Sequence, residues 1–459
     1  MHFSTLALVT AVATAARRSH TAYTRPIVLP QGGVSNDYHV LPIPKGPIAV
    51  YRFAADIVEI LPDGTVVPTP NYDAYLHHHV VGSRHSSYKN KQKTWTPMKA
   101  PEMFAGVGFG AGTESRGTPQ EFSYPYAFIT SPGEDEWIAN VHIINTRKMT
   151  TKNAHHCLEC PCTSNDVFAN GTVNGFELGL HCNTQLLHEK NSACFADTYR
   201  GGLRCCNDQE LCLEPQDLDP VVPNATYYMR YTFDYDDVQP DNRGLYLAAC
   251  CDASGDLSRH GAVEYDIPQC NPAENPGCTH TLSTRQHIGR AGGAFGFGAD
   301  YNEEDVEVEL VYAVGHQHRG SLGIQLYDDK TDELLCNSYP TYGSGNVAGN
   351  ESGYVIAMSH CTFDPPRRMR SSDIVRIVAT YNSSEPHTGA MSLWYLAIAD
   401  YKPPQDSTVS HSAVPAKNDN TPVIVVGALA AVVAVGVVVA LYKRSQARAG
   451  YAKVGESVQ

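Results

Sequence analysis

The chain has 459 residues, 14 cysteines and 26 tyrosines, with 18% charged residues and a formal net charge of −14. That length accommodates two or three domains, each with a core of its own. The acidic balance excludes a nucleic-acid partner, because neutralising phosphates needs a basic face, and the Lys/Arg-rich stretch lies only beside the last apolar segment.

In chain order, residues 1–16 read as a secretory signal peptide: Phe3 to Ala16 are apolar or small, and Ala13-Thr14-Ala15 supplies a small-x-small cleavage pattern. Short apolar or alternating runs follow, separated by Gly, Pro, Asn and Asp. They are Ile48–Glu59, Glu136–Ile144, Tyr227–Tyr235, Leu245–Cys250, Val306–Val314, Gly323–Tyr327, Asp373–Tyr381 and Met391–Ala399. This spacing predicts an all-β fold of two tandem antiparallel β-sandwich, jelly-roll-like domains, residues 25–268 and 269–402. The first domain carries a disulfide-rich insertion at 150–215, and a stalk occupies 403–421. Val423 to Tyr442 is uncharged and rich in Val and Ala; at about 1.5 Å per residue it spans about 30 Å, so a C-terminal transmembrane helix is expected over 422–442. Lys443, Arg444 and Arg448 come next, which makes 443–459 a cytoplasmic tail. The expected topology is single-pass type I, in the cell surface or a secretory-pathway membrane, with the ectodomain extracellular or lumenal.

The 14 cysteines all fall between Cys157 and Cys361. An even number in an oxidising compartment points to disulfides. Cys157-x-x-Cys160-x-Cys162, with His155 and His156 beside it, also has the residue types of a zinc site, but a secreted chain favours disulfides. Asn170, Asn224, Asn350 and Asn382 begin glycosylation sequons. Neither His-Glu-x-x-His nor Gly-x-Ser-x-Gly occurs, so zincin and serine-hydrolase chemistry have no support. The alternation Gly106, Gly108, Gly110, Gly112 is no phosphate loop, since no Gly-Lys-Ser/Thr follows.

Four groups carry potential chemistry: His77-His78-His79 inside an apolar run, His142, His316-Gln317-His318, and Met391. On a strand, His316 and His318 share one face and can share a metal, with copper or zinc suited to imidazole. By the same alternation His77 pairs with His79, whereas His77 and His78 together require a bulge or a strand end. The thioether of Met391 is a soft ligand that favours Cu(I).

The order of these groups resembles the copper type II ascorbate-dependent monooxygenases, of which peptidylglycine α-hydroxylating monooxygenase is a member. More closely, the chain resembles the stress-up-regulated nodulin family. That likeness lies in Tyr75-Leu76-His77-His78, Asn140-Val141-His142-Ile143-Ile144-Asn145-Thr146, Gly201-Gly202-Leu203-x-Cys205-Cys206 and His316-Gln317-His318-x-Gly320. It continues in Ala348-Gly349-Asn350-Glu351-x-Gly353-Tyr354 and His387-Thr388-Gly389-x-Met391. The monooxygenase resemblance implies two copper ions, one on His77, His78 and His142 and one on His316, His318 and Met391. The second would be the catalytic, dioxygen-activating site; ascorbate would be the reductant and a small molecule the substrate. It also implies that Tyr395 belongs to the substrate pocket. Where the peptide-amidating enzyme holds its substrate carboxylate with an arginine, this chain has Val314, so the expected substrate is neutral. A non-catalytic copper-binding or stress-related surface glycoprotein is the alternative function.

Overall fold

Tyr227, Met229, Tyr231, Phe233 and Tyr235 occupy every second position of one run. In the computed structural model of the protein that run is a strand, Ala225–Asp237, with those side chains buried and the intervening ones half-exposed. The structure describes residues 17–84, 105–130, 132, 136–158, 172–173, 176–177, 211–213, 215–248, 250–253, 265–289 and 305–403. The expected signal peptide, most of the 150–215 insertion with Asn170, the stalk beyond 403 and the Val423–Tyr442 segment lie outside the described residues.

The principal strands, in chain order, are β1 (Arg18–Tyr23), β2 (Val34–Pro42), β3 (Ile48–Ile60), β4 (Ala74–Arg84), β5 (Ala105–Ala111) and β6 (Tyr126–Ile129). They continue with β7 (Glu136–Asn145), β8 (Ala225–Asp237), β9 (Arg243–Leu247), β10 (Thr279–His287) and β11 (Glu307–Gln317). The last are β12 (Ser321–Asp328), β13 (Glu333–Ser338), β14 (His360–Arg370), β15 (Ile374–Asn382) and β16 (Ser392–Asp400). Each of the eight runs read from the sequence overlaps one of these strands, the run from Leu245 only as far as Leu247, and the protein is all-β with several sheets.

An 11-stranded sheet runs in the order β1-β8-β3-β6-β9-β16-β11-β14, with three short strands paired to β3 and β8 at its side. Two four-stranded sheets, β2-β7-β4-β5 and β10-β15-β12-β13, complete the sandwich-like layers. The long sheet passes from the first half of the chain to the second where β9 pairs with β16, so residues on both sides of 268 contribute to it. The described residues up to Lys402 form one compact unit. β11 and β16 are buried along nearly their whole length, as befits adjacent strands covered on both faces. Between the first half of the long sheet and β2-β7-β4-β5 sits an aromatic core. Phe53 stacks on Phe109 at 4.2 Å and Trp137 lies 4.3 Å from Phe233, centroid to centroid. Such pairs contribute about 0.5–1.5 kcal/mol beyond area burial.

The expectation of one membrane crossing finds no support among the described residues. Among the described residues no helix is long and apolar enough to cross a bilayer. The α-helix found there, Thr151–Leu158, has eight residues and extends about 12 Å, against about 30 Å of hydrocarbon.

Four disulfides join described cysteines: Cys157–Cys212, Cys250–Cys251, Cys270–Cys278 and Cys336–Cys361. Cys157 is thus engaged in a bridge, in line with the disulfide reading over the zinc one. Asn224, Asn350 and Asn382 are exposed, as sequons require.

A buried ion network fixes the 3₁₀ turn Thr113–Arg116 that follows β5. Arg116 reaches Asp56 of β3 at 2.6 Å and Glu351 at 3.0 Å, and Glu351 is fully buried. Glu351 also accepts the backbone N–H groups of Asn71 and Gly349, each at 3.0 Å. This explains one motif read from the sequence: Ala348-Gly349-Asn350-Glu351 delivers a carboxylate to Arg116. Removing one member leaves buried charge unpaired, so Arg116→Met is expected to destabilise the protein by about 3–5 kcal/mol, read as a lower urea midpoint. A midpoint within experimental error of wild type would show that solvent reaches Asp56 and Glu351.

Candidate metal centre

β4 and β7 pair antiparallel with His78 opposite His142 and His79 opposite Val141, but Ile143 stands opposite Leu76. His77 is therefore the extra residue of a β-bulge, which interrupts the alternation and brings His77 and His78 to the same face as His142. The ligand atoms of His77, His78 and His142 lie within 4.8 Å of one another. The His77 ring stacks on His142 at 4.3 Å and meets His78 at 5.4 Å. His79 faces the other way, into the aromatic core, with ring centroids 6.0 Å from Phe53 and 5.5 Å from Tyr231. The strand-pattern pairing of His77 with His79 is not realised.

The second trio comes from β11 and the start of β16. His316 and His318 are buried, with ring centroids 5.1 Å apart. The ladder sets His316 opposite Leu393 and Gln317 opposite Ser392, so Met391, also buried, is next in line with His318. The Tyr381 hydroxyl ties these two together: it accepts the His318 backbone N–H at 3.3 Å and donates to the Met391 carbonyl. The histidines of the two trios expected as two sites form one contiguous cluster, because the His318 ring meets His77 edge-on at 4.4 Å.

Hydrogen bonds select which nitrogens are left to bind a ligand. His318 donates from Nδ1 to the Gly389 carbonyl at 2.8 Å, and its buried Nε2 has no hydrogen-bond partner. His316 places Nδ1 2.7 Å from the Glu114 carboxylate, and its buried Nε2 is likewise unpartnered. His78 gives Nε2 to Asn140 Oδ1 at 3.2 Å, so its Nδ1 faces the cluster, 3.3 Å from His77 Nδ1. Asn140 is itself held by Asn36 at 3.0 Å. Buried imidazole nitrogens left bare on this scale are costly unless something binds them. Imidazole and thioether groups are donors for soft or borderline metal ions.

Glu114, Asn140 and two glycines are the members that motif reading missed. Gly110 and Gly112 stand two residues apart and so share a face. A Cβ on Gly110 would meet the Tyr395 hydroxyl at 2.2 Å, and one on Gly112 would meet His316 Cε1 at 2.5 Å. The glycine alternation in the sequence was the available signal: it clears space for side chains arriving from β11 and β16. Tyr395 lies buried over Gly110, and burial followed by the Glu114 carboxylate pushes its phenol well above the usual range.

Residues 15–401 match the family described as stress up-regulated Nod 19. The chain belongs to the stress up-regulated Nod 19 family. No curated protein matches it. Among solved structures, the infectious bursal disease virus Gx strain is 11% identical, with 84% of this chain and 72% of that one covered and a TM-score of 0.14. The VP2 subviral particle of infectious bursal disease virus is 9% identical, with 84% and 73% covered and a TM-score of 0.17. Likenesses this weak carry no argument about this Nod 19 family member.

Burial, then neighbouring imidazoles, hold His77, His142 and His318 well below the ordinary imidazole value, and His78 is lowered from 6.5 to about 4. Folded, metal-free protein therefore resists protons that the unfolded chain accepts. Stability is full above about pH 6.5 and falls as pH drops towards 4, by up to about 1.4 kcal/mol per pH unit for each such histidine. Denaturant midpoints in chelator at pH 7.5, 6 and 5 are expected to decline steeply; equal midpoints would mean solvated imidazoles. Separately, His78→Leu should abolish metal uptake by the first trio, whereas His79→Leu should leave uptake intact. Metal analysis of the two purified variants checks this, and loss in His79→Leu would reverse the assignment of the bulge.

Proposed function

We propose that this protein binds copper on His77, His78, His142, His316, His318 and Met391, and that it is a monooxygenase-like oxidoreductase acting on a neutral small molecule. The observation that carries the reading is the closeness of the His77, His78 and His142 ligand atoms, within 4.8 Å of one another. Buried neutral imidazoles and a thioether, with no free thiolate among the described cysteines, form a donor set suited to an ion cycling between Cu(I) and Cu(II). When bound, copper would supply one-electron chemistry towards dioxygen, with ascorbate as the reductant implied by the resemblance. The chain's own residues keep the imidazoles deprotonated by burial, orient them through Glu114, Asn140 and the Gly389 carbonyl, and exclude water. Val314 supports a neutral substrate, since it is buried and apolar at the position of the carboxylate-binding arginine. Arg319, the nearest cation in sequence, is paired with Glu385 at 2.7 Å. The disulfides fit a secreted or extracellular location.

A second reading is copper holding without turnover, favoured by burial: His77 and His142 are 0% exposed, His316 1% and His318 5%. Metal analysis of purified full-length protein, followed by ascorbate-driven oxygen uptake, separates the two. Copper with oxygen uptake is expected for the enzyme; copper with no uptake on any neutral substrate supports holding; no copper overturns both. Met391→Leu keeps volume and apolarity, so it should cost under about 1.5 kcal/mol of stability while weakening Cu(I) binding. Undiminished Cu(I) affinity would remove Met391 from the centre.

A further inference from the structure

We infer that Glu114 is the positioning carboxylate of the histidine centre: it accepts the Nδ1–H of His316 and thereby commits His316 Nε2 to a metal ion. The inference rests on the copper reading and adds a residue to it. Glu114 is 1% exposed. Its Oε1 lies 2.7 Å from His316 Nδ1 and 3.0 Å from the Gly112 backbone N–H, which donates to it. Its Oε2 is buried with no hydrogen-bond partner. Among the described residues its ion-pair partner is His316, while Arg116, two positions on, is turned to Asp56 and Glu351.

Among the described residues no Lys or Arg is paired with this carboxylate, and a buried carboxylate without a cation is expensive. A metal ion on the far nitrogen of the same imidazole would supply that charge through the ring. A carboxylate on the non-ligating nitrogen fixes the tautomer, orients the ring and raises the basicity of the ligating nitrogen. Local backbone supports the arrangement. A Cβ on Gly112 would lie 2.5 Å from His316 Cε1 and 3.1 Å from Glu114 Oε2, so only glycine lets the pair close. The Arg116 clamp holds the 3₁₀ turn independently, which frees Glu114 from a purely structural duty.

The test compares wild type with Glu114→Gln and Glu114→Ala in the full-length protein. Gln keeps an oxygen that accepts the Nδ1–H but carries no charge; Ala removes the acceptor. Competition with a chromophoric Cu(I) chelator should show affinity at one site falling by about 10–100-fold in Glu114→Ala, with a smaller loss in Glu114→Gln. The Cu(II) electron paramagnetic resonance spectrum should shift in the same order. In metal-free protein labelled with ¹⁵N-histidine, the His316 signal, identified by its absence in His316→Gln, should report a proton on Nδ1 in wild type and a mixture of tautomers in Glu114→Ala. Should Glu114→Ala fail to fold, the near-isosteric Gln variant carries the comparison. Unchanged copper affinity and spectrum in both variants, or a His316 proton on Nε2 in wild type, would overturn the inference. If wild type takes up no copper, the copper reading fails on its own, and the tautomer in metal-free protein still decides the role of Glu114.

Discussion

Side chains alternate along a strand, so consecutive residues cannot serve one site while the ladder stays regular. The slip between His142 and Ile143 in the β4–β7 pairing removes that restriction at one position. It turns His77 and His78 to the His142 side and sends His79 into the aromatic core. Everything else in the centre depends on this step. The His318 ring closes against His77 as well as His316, and the histidine pair of β11 thereby joins the trio on β4 and β7.

A cluster of buried imidazoles destabilises a fold unless its polar atoms are committed. Three different acceptors do this here: the Gly389 carbonyl for His318, Asn140 for His78 and the Glu114 carboxylate for His316. Each occupies the nitrogen that turns away from the cluster and leaves the other facing in. Tyr381 performs the matching task for the backbone, holding the His318 N–H and the Met391 carbonyl at one hydroxyl. The cost of assembling such a group is borne by the aromatic core around Phe53, Phe109 and Trp137 and by the Arg116 clamp. The clamp also explains why a motif far along the chain, ending in Glu351, bears on the site: it secures the turn from which Glu114 projects.

Much of the fold was legible in the sequence because burial in a β-sheet leaves a period-two signature, and in β8 and β15 it is nearly perfect. β16 and residues 310–314 of β11 lack alternation yet were legible as continuous apolar runs, which is what strands covered on both faces require. The identities of the candidate ligands were legible for a chemical reason: imidazole and thioether side chains are metal-donor types that can be picked out in the sequence. The glycine alternation around Gly110 and Gly112 was visible but could be read only negatively, since steric clearance concerns the partner that fills it, and Tyr395 and His316 are remote in sequence.

The sequence by itself thus determined the strands, the all-β class, the disulfide habit and the residue types of the centre, because these follow from local periodicity and composition. Only the tertiary structure decided which of the three consecutive histidines belong together, since a bulge is a property of two paired strands and not of one. It alone merged the two trios, since the distance between His77 and His318 depends on how two sheets pack. It alone recruited Glu114, whose carboxylate stands 202 positions from His316 in sequence and 2.7 Å away in space. Interactions of that kind leave no periodic trace along the chain; they exist only once the layers have closed.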